Sequence, residues 1–395
     1  MLVTAVVVED SVRRVVVEDS ARRGMVEDSV RSGVAGASVR GGEWVRGLGP
    51  NWFAVVMGTG IVANAAVGLP WQVSGVRVVA AVVWGMAAVL LGVLVVAVGW
   101  QGWRYPADAR GHREDPVMMH FLGAPPMALL TVGAGTLLVG RDVIGETAAV
   151  AVDWVLWTAG TGLGLATAFV VPYRMMTRHR AAPDAAFGGW LMPVVPPMVS
   201  AATGALLVPH TPAGQARTTL VLACVAMFGL SLIAALITVT MIWSRLVHHG
   251  VPAPAAVPTL WIVLGPLGQS ITAAGFLADA GPAALPPLYA RGMAVFSVVY
   301  GLIAWGFAML WLALALAVTL RTRRNGELRF TLSWWGFTFP LGTCVTGSTA
   351  LYHHTGALMF AVPGVALYLL LVSVWTVVAA HTVRGLSGGA LLARA

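Results

Sequence analysis

Five short stretches rich in proline and glycine carry the side chains that could do chemistry: 57–60 (MGTG), 123–126 (GAPP), 193–197 (PVVPP), 265–268 (GPLG) and 339–342 (FPLG). Close to them lie Thr59, Asn64, Ser200, Thr203, Gln269, Ser270, Thr272, Thr338, Thr343 and Thr346, and no arginine. Such a set cannot offer a fixed cation. What it can offer an anion is hydroxyls, amides and the N–H-bearing positive ends of interrupted helices. The competing reading is structural, because hydroxyls in apolar helices also bond the carbonyl one turn back or a neighbouring helix. Thr59, Gln269 and Thr338 are the first candidates for substrate contact. His120 lies about one turn inside the third apolar run and Asp153 about two turns inside the fourth, and ionisable residues in lipid are functional suspects by default. His120 is a candidate for substrate or proton contact. Asp153 is expected to pair with a neighbouring helix.

Enzyme chemistry has no foothold. There is no nucleophile elbow, P-loop or dinucleotide fingerprint, so no catalytic residue and no cofactor is expected. The adjacent histidines His248–His249 and His353–His354 make a poor metal motif, and no metal site is expected. Cys224 and Cys344 both lie in apolar runs and form no disulfide framework.

The elements that must hold these residues are dictated by composition. Of 395 residues, 58% are apolar and 10% charged, against about 25% charged in an ordinary soluble domain. The surrounding solvent must be lipid. All 24 basic residues are arginine and the net charge is +8. The arginines fall in short gaps between apolar runs rather than on one face, which excludes nucleic acid as a partner. A crossing of the hydrocarbon needs about 20 helical residues. Runs of that kind lie near 52–70, 76–100, 117–140, 147–172, 189–209, 216–245, 258–280, 289–320, 332–352 and 357–381. Arginines in alternate gaps divide 15 to 4. That bias places both termini in the cytoplasm of a plasma-membrane protein, with arginines at the cytoplasmic mouth.

Odd and even runs differ. Every odd run carries one of the five stretches near its middle, and no even run does. Taking Gly58, Pro125, Pro196, Pro266 and Pro340 as markers, the intervals are 67, 71, 70 and 74 residues. The fold expected is all-α, ten transmembrane helices as five repeated hairpins. The broken helices surround a central pore and the unbroken ones face lipid, because proline frees a carbonyl that lipid cannot satisfy. The breakers are Gly58, Gly60, Pro125, Pro126, Pro196, Pro197, Gly265, Pro266 and Pro340.

Three domains follow. Residues 1–46 carry a nine-residue near-repeat (VVEDSVRRV, VVEDSARRG, MVEDSVRSG) with seven acids against seven arginines. They read as a low-complexity, disordered and dispensable cytosolic tail, with a start at Met25 as one alternative. Residues 47–385 form the membrane domain, and 386–395 a short cytosolic tail.

The segments PNWFAVVMGTGIVA (50–63), HFLGAPPMALLTVGAG (120–135), WLMPVVPPMVSAATG (190–204), LGPLGQSITAA (264–274) and WWGFTFPLG (334–342) resemble the tellurite-resistance/dicarboxylate transporter family. That family includes malate permeases, sulfite efflux pumps, tellurite-resistance channels and slow anion channels. The resemblance covers about residues 50–382. It implies five pseudo-symmetric hairpins around a pore, a homotrimer, and a pore-plugging phenylalanine at the position of Phe339. The wording of the motifs is most similar to members labelled malate or C4-dicarboxylate transporters. The function it implies is transport of small anions, malate first, with a channel or efflux route for chloride, nitrate, sulfite or tellurite as the alternative. Proton-coupled and passive movement both stay open.

Overall fold

The computed structural model describes residues 43–179, 181–387 and 391. The repeat-bearing part of the N-terminal tail therefore lies outside the described residues, as does nearly all of 388–395. From Arg46 onward the chain forms one compact unit, and among the described residues it is helical throughout, with no strand.

Ten helices organise it. Five are inner: α1 (Phe53–Val67), α3 (Ala124–Gly135), α5 (Pro196–Leu207), α7 (Leu264–Ala280) and α9 (Thr338–Thr355). Alternating with them are α2 (Val76–Arg104), α4 (Glu146–Thr177), α6 (Gln215–His249), α8 (Pro287–Arg324) and α10 (Leu358–Ser387). Two short helices, Pro106–Glu114 and Arg141–Ile144, lie in connections. Eight segments are long and apolar enough to cross a membrane. The stretches holding α5 and α9 fall outside that set; α5 has only 12 residues.

Burial separates the two kinds. Within the most apolar windows of Pro50–Val67, Met118–Ile144 and Pro254–Ala283, 78%, 78% and 94% of residues are buried. In the five even helices the share is 22–39%, so their large apolar side chains face outward. In water that surface would be an aggregation site; in lipid it costs nothing. Contacts close a ring: α1 packs on α3, α3 on α5, α5 on α7, α7 on α9, and α9 on α1. Each even helix leans on its own inner helix and on the next inner helix in the chain, and α10 returns to α1.

The breakers act differently from the sequence expectation. All five inner elements are a 3-10 segment followed by an α-helix: Pro50–Trp52 before α1, Met118–Gly123 before α3, Gly188–Leu191 before α5, Pro254–Val263 before α7 and Leu332–Phe337 before α9. Pro125, Pro126, Pro196, Pro197, Pro266 and Pro340 all fall in the first turn of the α-helix that follows. First-turn N–H groups have no intrahelical acceptor, so a proline there removes nothing. The interruption is the change from 3-10 to α geometry. In the first element that change comes at Trp52, before the glycines, and Gly58 and Gly60 lie inside the continuous helix α1. Their role is close approach. A Cβ on Gly58 would overlap Thr338 Oγ1 and stand 2.7 Å from the Trp335 ring, and one on Gly60 would stand 2.8 Å from Thr131 Cγ2.

Tryptophans of the outer helices tie them inward. Trp84 Nε1 of α2 donates to Thr136 Oγ1 at 3.2 Å, Trp157 of α4 to the Ser200 carbonyl at 2.9 Å, and Trp305 of α8 to Ser348 Oγ at 2.9 Å. Trp375 of α10 closes the circuit by donating to Thr59 Oγ1 at 3.1 Å. A buried indole N–H needs such an acceptor.

Candidate functional site

Two cavities lie within the inner ring, one toward each end of its helices. The cavity at the N-terminal ends is lined by all five inner elements, including Ala54, Met57, Phe121, Met127, Met192, Ile262, Pro266 and Phe339. It leaves about 30 Å³ for water, enough for about two molecules. The cavity at the C-terminal ends also draws on all five, through Asn64, Leu138, Ala205, Phe276, Asp279, Thr346, His353 and His354 among others. It is far larger, about 390 Å³. No even helix lines either one.

Helical spacing connects the cavities. In α9, Phe339 lines the first and Thr346, two turns on, the second. In α1 the same holds for Met57 and Asn64, and in α7 for Gly265 and Phe276. Gln269 lies one turn beyond Gly265 on that α7 face. Its buried amide makes no hydrogen bond with any other described residue.

The structure sorts the candidates. Phe339 is 3% exposed and lines the narrow cavity together with Gly265, Pro266 and three methionines. Phe337 turns away and packs edge-on against Trp261, with ring centroids 5.1 Å apart. Pro340 and Pro266 line the narrow cavity beside Phe339. Asn64 donates Nδ2 to the Thr131 carbonyl at 3.0 Å, while its Oδ1 has no hydrogen-bond partner among the described residues. Thr272 and Thr346 share a hydrogen bond of 2.7 Å.

Other candidates lie off the axis. Thr59 accepts from Trp375 of an outer helix. Thr338 donates to the Trp335 carbonyl at 2.8 Å under Gly58. Ser200 and Ser270 bond Thr161 and Tyr300 of outer helices, and Thr203 bonds the carbonyl one turn back. His120 is buried outside both cavities, stacked on Trp190 with rings 3° from parallel and with Nε2 3.3 Å from Met175 Sδ. Asp153 faces Gly133 rather than a polar partner, and neither carboxylate oxygen has a hydrogen bond among the described residues. Arginine is absent from the described lining of both cavities. The larger cavity does hold Asp279, which no motif in the sequence marks, 3.2 Å from His354.

The placement of Thr59 carries a prediction. Thr59→Val keeps the volume but leaves the Trp375 N–H unpaired, at a cost of about 1–3 kcal/mol. Thermal unfolding in detergent should show a lowered Tm, with anion selectivity unchanged.

Residues 47–383 match the voltage-dependent anion channel family (SLAC1). Curated relatives include the sulfite efflux pump of Arthroderma otae, 28% identical over 344 residues that cover 85% of this chain and 89% of the relative. The sulfite efflux pump of Trichophyton rubrum has the same identity and coverage. An uncharacterized transporter of Methanocaldococcus jannaschii is 27% identical over 353 residues, 88% of this chain and 98% of its own. With four-fifths of its length matched and its motif-bearing inner helices in one ring, the chain belongs to the voltage-dependent anion channel family, a family of transporters and channels for anions.

Proposed function

We propose that the chain conducts small inorganic anions, sulfite first among them, along the axis of the inner ring, with Phe339 as the occluding residue. The observation that carries this reading is the pair of cavities, each lined by all five inner elements and by no outer helix. In this reading the elements holding α5 and α9 complete ten crossings, as five hairpins around a pore. The arginine bias sets the N-terminal cavity toward the cytoplasm and the C-terminal cavity outside. Between them an ion meets Gln269, the Thr272–Thr346 pair and Asn64 rather than a fixed guanidinium.

Malate was the first expectation from the motifs. Sulfite and similar inorganic anions are now preferred, because the curated relatives include sulfite efflux pumps. Passive movement is preferred to proton coupling, because neither His120 nor Asp153 lines either cavity and the titratable groups that do, Asp279, His353 and His354, lie only at the C-terminal end.

Purified protein in liposomes tests this, with sulfite, chloride and malate flux compared under an imposed potential and under an imposed pH gradient. The reading requires sulfite flux that follows potential and exceeds malate flux. Malate flux driven by the pH gradient would restore the first expectation. Gln269 supplies a second check. Gln269→Leu removes an uncommitted amide from the path, and losing about 1.4 kcal/mol of ion stabilisation slows flux about ten-fold. Single-file conductance in bilayers would read it.

A further inference from the structure

The cavity at the C-terminal ends differs from the narrow one in carrying titratable side chains. Among the described lining residues they are Asp279 near the end of α7, and His353 and His354 near the end of α9. His354 is held from two sides. Its Nδ1 lies 2.9 Å from the Ala350 carbonyl, and its Nε2 lies 3.2 Å from Asp279 Oδ1. A carbonyl and a carboxylate only accept hydrogen bonds, so a ring with a proton on each nitrogen satisfies both. A ring that carries both protons is a cation. His353 Nε2 lies 3.3 Å from the Gly68 carbonyl of α1. Asp279 is 69% exposed, so its charge faces the cavity water as well as His354.

We propose that the Asp279–His354 pair is the charge filter of the outer mouth, in which the carboxylate cancels the imidazolium and limits how strongly the mouth captures anions. The proposal rests on the reading of the ring axis as the anion path. When voltage drives anions inward, capture at the outer mouth limits the current. Under the opposite voltage, capture at the cytoplasmic mouth limits it. A charge in the outer mouth therefore acts on one branch of the current–voltage curve, and its effect fades as salt screens it.

Excised membrane patches containing the full chain, with chloride as the probe ion, test this. In low salt, Asp279→Asn is expected to raise the current carried by inward-moving anions about three- to ten-fold, the effect of one partly screened charge a few ångströms away. The opposite branch should stay within about two-fold, and the difference should shrink in high salt. Asp279→Asn combined with His354→Gln restores a neutral mouth and should bring the current back toward wild type. The proposal is overturned if the wild type conducts and Asp279→Asn leaves the inward branch unchanged, changes both branches equally, or gives a salt-independent increase. A wild type that passes no anion current overturns the pore reading itself, a result recognisable before any variant is made.

Discussion

Phe339→Ala is expected to raise anion flux at least about ten-fold, which corresponds to about 1.4 kcal/mol off the permeation barrier. The ring sits at 3% exposure among Met57, Met127, Met192, Ile262 and Pro266, in a cavity with about 30 Å³ for water. A partly hydrated ion cannot pass there without shedding water against apolar walls, and apolar constrictions gate by that exclusion of water. Truncation to Ala removes the bulkiest of those apolar walls from the narrow end of the path. Flux in proteoliposomes reads the change. The fold should tolerate it better than an ordinary core truncation, since the ring borders a cavity and not a filled core. Phe337→Ala should behave in the opposite way. Its ring packs between Trp261 and Trp334, so stability falls while flux does not rise. A Phe339→Ala protein with wild-type Tm and wild-type flux would remove Phe339 from the path.

The second large effect is on folding. Gly268→Val should destabilise the protein by about 3 kcal/mol or more, at the upper end of what overpacking costs. A Cβ at Gly268 would stand 2.5 Å from the backbone nitrogen of Cys344 and would overlap the Thr343 carbonyl carbon. Both belong to the backbone of α9, which cannot swing aside as a side chain would. From the other side, a Cβ on Gly347 would lie 2.9 Å from the Gly268 carbonyl oxygen. The two inner helices touch backbone to backbone, as small residues allow in membranes. The control lies on the outer helices. Gly229 and Gly306 have nothing within 4 Å of an added Cβ, so alanine there should be neutral or stabilise by up to about 1 kcal/mol. Thermal unfolding of the three variants in one detergent separates a packing effect from a general intolerance of mutation.

The contrast between those glycines also shows what the sequence could and could not carry. The alternation of broken and unbroken runs was legible because proline and glycine recur about every seventy residues, and the inner and outer helices follow that alternation. Helix ends were legible only to a few residues. Arg104, Arg321 and Arg324 lie beyond the apolar runs, yet α2 and α8 continue through them, since an arginine-bearing turn emerging from lipid stays helical. The 3-10 segments were not legible. They have no distinctive period, and the prolines that mark their ends read equally well as mid-helix kinks. Facing was also hidden, because α1 is apolar all round and buried on nearly every side. Nothing in the spacing of Thr59 and Asn64 says that one meets Trp375 and the other the larger cavity. The Asp279–His354 pair joins residues of two different hairpins, a meeting that only the closed ring of inner helices brings about.

The central claim is that anions travel along that ring's axis, and thiol accessibility tests it most directly. Cys224 and Cys344, both buried, are replaced by Ala. A single cysteine is then placed at Thr346 in the larger cavity or at Val299 on the outer face of α8. The account predicts that a charged thiol reagent blocks sulfite or chloride flux through the Thr346→Cys protein and leaves the Val299→Cys protein unaffected. Unimpeded flux through a fully labelled Thr346→Cys protein would contradict it.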